Sequence, residues 1–288
     1  MKIINPIKRL IINLVHRLGY QIKSTKKNVQ NNDFDSIISF LLRNKSLDKH
    51  IYFDVGANLG QSIKRFKKIN NLSTIYSFEP TPHLFESLEK NFGLDKKVFL
   101  NKIAISDRGG EKIDFYSYKY HKINSPYPTD KKSKFSKSRM FASQSNEKEF
   151  EEIISVETES IDSFCKKKNI EYIDYIKIDT QGYEEKVLTG MNNFLKKNNV
   201  SIIELELILG FGYQKDFSFY DYEKIFNQEN YRLIAIDTPG NVISTSNYQT
   251  NILYVKNEIF ETIRQIHEKN IGIDGITNKT DRSHPFSY

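Results

Sequence analysis

The feature that most constrains the fold is an alternation of short apolar strands, turns and amphipathic helices that begins at residue 51. Apolar runs predict strands over 51–55, 74–78, 98–105, 113–118, 153–156, 173–178, 200–205, 231–236 and 251–255. Helical spacing of apolar residues predicts helices between many of these strands, among them 161–168, 184–195 and 219–228. This alternation is typical of an α/β protein with a doubly wound, mostly parallel sheet covered on both faces.

Composition excludes several protein classes. A chain of 288 residues can bury a large core without a disulfide or metal staple, and 38% hydrophobic residues exclude a disordered chain. The single cysteine, Cys165, excludes an intramolecular disulfide and a cysteine-based zinc cluster, and it fits a reducing compartment. The net charge of +7 resides in residues 1–32, which hold seven basic side chains and no acid. Because this charge does not form a basic face, we predict no nucleic-acid partner.

The basic N-terminal segment also has apolar residues at helical spacing. They are Ile3, Ile4, Ile7, Leu10, Ile11, Leu14, Val15 and Leu18. The segment is too short and too charged to cross a bilayer and lacks a small-residue cleavage site. Two hypotheses remain: a helix packed on its own domain, or a basic amphipathic helix on an anionic membrane surface. We predict a helical extension over 1–45 of a cytoplasmic protein, which the second hypothesis places peripherally on the inner face of the membrane.

A glycine-bearing turn follows the first strand. The sequence there is FDVGANLG, with Asp54, Gly56, Asn58 and Gly60. The glycines permit a tight turn and a close approach of a ligand to the backbone. The Gly-x-x-x-Gly spacing differs from the Gly-x-Gly-x-x-Gly of a dinucleotide site, and Asp54 suits a ligand that carries an ammonium and a sulfonium. A plain structural turn is the alternative.

The ends of the next two strands offer further candidates for nucleoside binding. Glu79, followed by Pro80, lies 25 residues after Asp54, where a carboxylate can accept hydrogen bonds from both hydroxyls of a ribose. A helix cap is the alternative for Glu79. Ala104, within the segment 103–107, is a candidate for bracketing an adenine ring, with an ordinary strand end as the alternative.

Three carboxylates are candidates for acid–base chemistry. Asp179 ends a central strand, Glu184 lies in the first turn of the next helix, and Glu206 ends the strand after that helix. A hydroxyl acceptor gains from a carboxylate that removes its proton as the new bond forms. For Glu184 the alternative is a dipole partner at a helix start. No group of residues has convincing metal-ligand spacing, so a metal site is not predicted, and a divalent metal ion stays an open alternative.

A long polar stretch over 119–150 interrupts the α/β alternation. It carries seven basic residues against one acid up to residue 139. Long insertions in compact domains are often lids or binding loops. The stretch is therefore either a solvated loop or a clamp for an acceptor such as an anionic glycan or a phosphate-linked sugar.

Five segments together resemble the FkbM-type methyltransferases, a family of class I S-adenosylmethionine-dependent O-methyltransferases. They are FDVGANLGQSIKRF, SFEPTPHLFESLEKNF, NKIAIS, VETESIDSF and IDYIKIDTQGYEEKVLTGMNNFL, within residues 50–210. The resemblance implies a seven-stranded Rossmann-like methyltransferase domain over 46–256, followed by a C-terminal helix and tail over 257–288. The segment after Asp179 departs from the family: where Val-Glu-Gly-x-Glu is usual, this chain has Thr180-Gln181-Gly182-Tyr183-Glu184, so Gln181 replaces the first acid.

The resemblance also implies a cofactor, an acceptor and site residues. S-adenosylmethionine is expected to bind at Asp54, Gly56, Asn58, Gly60, Glu79, Pro80, Ala104 and Asp179. The expected catalytic candidates are Asp179, Glu184 and Glu206. The expected acceptor is a small-molecule or lipid-linked saccharide, methylated on a hydroxyl of a surface glycan or related secondary metabolite. Two alternatives stay open: a nicotinamide-dependent oxidoreductase, disfavoured by the glycine spacing, and a non-catalytic nucleoside-binding module docked on a membrane.

Overall fold

The computed structural model describes residues 32–43, 45–130, 150–208, 213, 218–237 and 249–265. The strands are β1 (Ile51–Val55), β2 (Thr74–Phe78), β3 (Val98–Asn101), β4 (Ala104–Ile105), β5 (Lys112–Tyr118), β6 (Phe150–Glu159), β7 (Ile173–Ile178), β8 (Val200–Ile208), β9 (Tyr231–Ile236) and β10 (Gln249–Lys256). The helices are α1 (Asn32–Leu42), α2 (Gln61–Ile69), α3 (Pro82–Phe92), α4 (Ile161–Lys168), α5 (Glu184–Thr189), α6 (Asn192–Lys196), α7 (Phe219–Gln228) and α8 (257–265).

Seven of these strands form one sheet in the order β3-β2-β1-β7-β8-β10-β9. Strands β3, β2, β1, β7 and β8 run parallel, and β10 pairs antiparallel with both β8 and β9. The predicted α/β fold with a mostly parallel seven-stranded sheet is confirmed. The chain reverses its direction of travel across the sheet between β1 and β7, and ligands of such sheets bind beyond the carboxyl ends of the strands at that switch point.

The core lies on both faces of this sheet. All six residues of β7 are buried, as expected for a central parallel strand covered on both sides. One apolar cluster includes Phe53, Ile176 and Leu205, and the other includes Tyr52 and Tyr175. Alternate residues of each strand face opposite clusters because side chains alternate along a strand.

Two predicted elements are each divided in the structure. The strand predicted over 98–105 ends at Asn101, and Ala104–Ile105 pairs instead with β6 in a second sheet of order β4-β6-β5. The helix predicted over 184–195 is interrupted at Gly190, where an added Cβ would lie 2.0 Å from the carbonyl oxygen of Ser106. Apolar periodicity indicates which residues are buried, but not which element buries them. It therefore could not show that Ala104–Ile105 joins a second sheet or that the helix is interrupted beside Ser106.

The second sheet holds both ends of the long insertion. Strands β5 and β6 pair antiparallel, and Tyr118 at the end of β5 is in register with Phe150 at the start of β6. The two ends of the insertion therefore lie at adjacent positions of one hairpin.

Helix α1 packs in the domain core, although the sequence assigned it to an extension over 1–45. Phe34, Ile38 and Leu42 belong to the same apolar cluster as Tyr52. Side chains of α8 pack against that cluster as well. The predicted boundary at residue 46 thus falls inside the packed core, because the apolar face of α1 covers the sheet.

A partly buried arginine links α1 to the sheet. Arg65 of α2 pairs with Asp35 of α1 and, at 2.7 Å, with Glu204 of β8.

The predictions for residues 1–31 and for 266–288 lie outside the described residues. Among the described helices, none is long and apolar enough to cross a membrane.

Candidate functional site

The carboxyl ends of β2, β1 and β7 lie side by side at the switch point. The amide of Gly56 donates to the carbonyl of Phe78 at 3.1 Å, and the amide of Asp179 donates to that of Val55 at 2.9 Å. These hydrogen bonds bring together the loops that carry three predicted site residues, Asp54, Glu79 and Asp179.

The two glycines of the turn are needed for contacts within the chain itself. Gly56 has φ 88° and Gly60 has φ 81°, both in the region that favours glycine. A Cβ on Gly56 would lie 1.9 Å from the carbonyl oxygen of Asp179, and one on Gly60 would lie 2.3 Å from the ring of Phe92. The glycines form the tight turn that the sequence predicted. They permit a close approach of neighbouring segments of the chain, at Asp179 and Phe92, where the sequence pattern predicted that of a ligand.

Asp54 is a fully buried carboxylate with one unsatisfied oxygen. Its Oδ2 accepts a hydrogen bond from Ser77 at 3.3 Å, and its Oδ1 has no hydrogen-bond partner in the part of the chain that the structure describes. Burial raises the pKa of Asp54 to about 6, although the Lys177 ammonium opposes the shift. An unpartnered buried acceptor is costly, so this oxygen is suited to a ligand that brings a positively charged donor.

Glu79 accepts hydrogen bonds from backbone amides of the two loops that follow β1 and β2. Its Oε2 accepts from the amide of Asn58 at 2.8 Å, and its Oε1 accepts from the amide of Thr81 at 2.9 Å. Burial raises the pKa of Glu79, and these hydrogen bonds partly offset the shift. A carboxylate oxygen has two lone pairs, so Glu79 can also accept hydrogen bonds from a ligand. Pro80 follows and directs the chain towards α3.

Ala104 lies in the second sheet. Its side chain packs with Phe115 and Val156 in that sheet's small core. Near it, Ser106 shares a hydrogen bond of 2.9 Å with Tyr183, in the loop that follows Asp179. The structure thus gives the side chain of Ala104 a packing role, because the chain has left the main sheet before this residue.

Asp179 and Glu206, two of the predicted catalytic residues, are brought together by a third side chain. The Nε2 of Gln181 donates to Asp179 Oδ1 at 2.8 Å and also to Glu206 Oε2. The Lys177 ammonium donates to Asp179 Oδ2 at 2.6 Å. Burial favours neutral Lys177, but Asp179, Glu204 and Asp54 outweigh it and hold the pKa of Lys177 above its usual value.

Sequence reasoning did not assign a role to Lys177. A lysine within the apolar run Ile173–Ile178 was an available signal, because a buried ammonium requires a carboxylate partner.

Glu184, the third catalytic candidate, fastens its own loop. Its Oε1 accepts from the amide of Thr180 at 2.9 Å and from the Thr180 hydroxyl at 3.1 Å, and its Oε2 accepts from the amide of Gly182 at 3.0 Å. Burial raises the pKa of Glu184 to about 7. In this geometry Glu184 holds the loop 180–182 in shape, a role that sequence reasoning did not predict.

The first part of the insertion crosses this edge of the sheet. On one side, the side-chain amide of Asn58 donates to the carbonyl of His121 at 3.1 Å. On the other, the Tyr213 hydroxyl lies 3.4 Å from the carbonyl oxygen of Ile123 and donates to Gln181 Oε1 at 3.1 Å. We call residues 119–130 the cap. The clamp residues beyond 130 lie outside the described residues.

The described residues include no group of three or more His, Cys, Asp or Glu side chains arranged to hold a metal ion. The charged groups at this edge are instead partnered by lysine, amide and backbone donors.

Two sequence comparisons show what the chain is similar to. A family model described as the methyltransferase FkbM domain matches residues 54–233. The 2-O-methyltransferase NoeI of Sinorhizobium fredii is 31% identical over 150 residues, which are 51% of this chain and 59% of that protein. The chain thus matches less than two thirds of that relative's length.

Two solved structures are also similar. A methyltransferase FkbM from Methylobacillus flagellatus KT has a TM-score of 0.44 and 12% identity, over 72% of this chain and 44% of that chain. The magnesium protoporphyrin IX methyltransferase ChlM from Synechocystis PCC 6803, with bound SAM, has a TM-score of 0.42 and 10% identity, over 89% of this chain and 86% of that chain.

Proposed function

Because the chain belongs to the FkbM methyltransferase family, we propose that it transfers a methyl group from S-adenosylmethionine to a hydroxyl oxygen of a saccharide. The observation that carries the proposal is the buried Oδ1 of Asp54, unpartnered within the described residues, at the end of β1. It lies at the switch point of the sheet, where doubly wound folds bind their ligands.

The residues at this edge fit the cofactor. S-adenosylmethionine would supply an electrophilic methyl group on a sulfonium, together with an ammonium and a ribose. Asp54 offers the ammonium an unsatisfied carboxylate oxygen, and Glu79 offers lone pairs to the ribose hydroxyls. The positions of Gly56 and Asn58 are fixed by hydrogen bonds to the end of β2 and to Glu79. These residues would hold the cofactor beside Asp179.

The chain's own task in the reaction is to orient the acceptor and receive its proton. Methyl transfer is an in-line displacement, so holding the reacting atoms in line contributes most of the rate. A carboxylate beside the acceptor hydroxyl can take its proton as the new bond forms. We infer this role for Asp179 and Glu206, since Asp179 follows β7 beside the turn at Gly56 and one bridging amide, that of Gln181, links it to Glu206 of β8.

The saccharide acceptor is supported by two observations. The relative NoeI is a 2-O-methyltransferase, which supports a hydroxyl oxygen as the nucleophile. The cap spans the edge of the sheet that holds Asp179, with the carbonyl oxygens of His121 and Ile123 beside Asn58 and the Tyr213 hydroxyl. Carbonyl oxygens accept hydrogen bonds, so such a segment is suited to a ligand with many hydroxyls.

Calorimetry with S-adenosylmethionine tests the cofactor, and transfer of a labelled methyl group to a panel of saccharides tests the reaction. We expect Asp179→Asn to lower kcat by about 100-fold, because it removes a charge and preserves shape. The exposed Asp114→Asn is the matched control. Absence of cofactor binding, or tighter binding of NADH, would refute the proposal.

A further inference from the structure

Gln181 makes three side-chain hydrogen bonds and uses both ends of its amide. Its Nε2 donates to Asp179 Oδ1 and to Glu206 Oε2, and its Oε1 accepts from the hydroxyl of Tyr213. An amide nitrogen carries two hydrogens, so each carboxylate can receive one. The reverse orientation of the amide would aim its oxygen at two carboxylates, which fixes the orientation described.

The backbone conformation at Gln181 places its side-chain amide between the two carboxylates. Gln181 has φ 55°, an uncommon value for a residue other than glycine, asparagine or aspartate. The loop that contains it is held by the three hydrogen bonds from Thr180 and Gly182 to Glu184. The ring of Tyr213 packs beside Gly182, where an added Cβ would lie 2.7 Å from it. A strained position that its surroundings hold so firmly points to a functional constraint.

Two carboxylates this close repel each other unless something between them supplies positive charge or donors. The usual solutions are a shared proton or a divalent cation with oxygen ligands. Here the Gln181 amide lies between Asp179 and Glu206, and the Lys177 ammonium donates to the second oxygen of Asp179.

We infer that Gln181, together with Lys177, takes the place of a bridging divalent cation and holds Asp179 and Glu206 ready for the acceptor. Gln181 is thus a positioning residue, and methyl transfer in this chain needs no metal ion between these carboxylates. The inference rests on the proposed methyl transfer. It also gives a reason for the departure from the family pattern, because an acid at position 181 would place a third carboxylate at the same point.

The variant Gln181→Glu tests the inference because it keeps size and replaces the donor by a carboxylate. Without divalent cations we expect its Tm to fall by about 4–8 °C, since two carboxylates lose their bridge. With Mn²⁺ we expect recovery of most of that loss and binding of about one ion per chain, measured by electron paramagnetic resonance. The wild type should show neither response. The matched control Gln228→Glu, on the exposed end of α7, should behave as the wild type.

Three results would overturn the inference: an unchanged Tm in Gln181→Glu, a loss that Mn²⁺ does not restore, or binding of Mn²⁺ by the wild type between the same carboxylates. If Gln181→Glu does not fold, the inference can be tested by NMR of the wild type labelled with ¹⁵N-glutamine. We expect one pair of side-chain NH₂ signals, assigned to Gln181 because Gln181→Asn lacks it, to be protected from exchange with solvent. If no such protected pair is found, the bridge is refuted. Failure of the wild type to bind S-adenosylmethionine would refute the proposed function. The stability and Mn²⁺ measurements would still test the bridge, because they do not require the cofactor.

Discussion

Replacing Asp54 by Asn should stabilise the protein without its cofactor and at the same time abolish cofactor binding. The reason is the burial of this carboxylate with one oxygen unpartnered in the described structure. Burial makes ionisation of Asp54 less favourable in the folded state than in the unfolded chain. Asparagine has the same shape and no charge, so it removes that penalty along with the partner for an ammonium.

The magnitude follows from the pKa. Burial raises the pKa of Asp54 from 3.8 to about 6, and each unit corresponds to about 1.4 kcal/mol. The protonated form therefore contributes up to about 3 kcal/mol, which is fully present below about pH 4 and is lost as the pH rises through about 6. At pH 8 we expect Asp54→Asn to be more stable than the wild type by about 1–3 kcal/mol, or roughly 2–4 °C of Tm per kcal/mol. At pH 4 the two proteins should differ little.

Urea unfolding of both proteins at pH 4, 6 and 8, without ligand, measures this difference directly. Taking the difference removes the contribution of carboxylates with lowered pKa values, such as Asp107 and Glu159, which the two proteins share. Calorimetry with S-adenosylmethionine completes the test. The reasoning is refuted if Asp54→Asn is the less stable protein at pH 8, or if it binds the cofactor as the wild type does.

Three further outcomes are expected. Glu79→Gln should weaken S-adenosylmethionine binding by about 5–150-fold in calorimetry, because the new NH₂ group would face the backbone amide of Asn58 or Thr81. The control Glu86→Gln, at an exposed position, should leave the affinity unchanged. Gly56→Ala should lower the free energy of unfolding well beyond Gly110→Ala, since both replace a glycine of positive φ and only Gly56 meets a carbonyl oxygen; equal losses would contradict this. Deleting residues 1–27 should abolish salt-sensitive binding to anionic vesicles and leave cofactor affinity intact; loss of that affinity would instead favour a helix packed on the domain.

The positions of Asp54, Glu79 and Asp179 could be anticipated because strand ends are readable from sequence and parallel strands end at a common edge. The roles of the side chains at that edge were less accessible. Glu184 is three residues beyond Gln181, and nothing in that spacing shows that its oxygens accept hydrogen bonds from Thr180 and Gly182. Loop conformation decides this, and it depends on contacts between distant segments.

Tyr213 illustrates the same difficulty. It lies far along the chain from its hydrogen-bond partners at Ile123 and Gln181, and no local pattern marks it. The division of the strand predicted over 98–105 was equally hidden, because Ala104–Ile105 is as apolar in its second sheet as it would be in the first. Sequence periodicity shows which residues are buried, and tertiary pairing determines which neighbours bury them.

The register of Tyr118 with Phe150 bears on how acceptor range can change during evolution. The hairpin holds these two positions together whatever lies between them. The entropic penalty of closing a loop grows only logarithmically, by about 0.6 kcal/mol for each doubling of its length. Insertions, deletions and exchanges of residues beyond the cap can therefore accumulate while the strands that hold Asp54 and Asp179 stay folded. If the stretch 119–150 is the acceptor clamp, such changes would alter the acceptor without unfolding the main sheet.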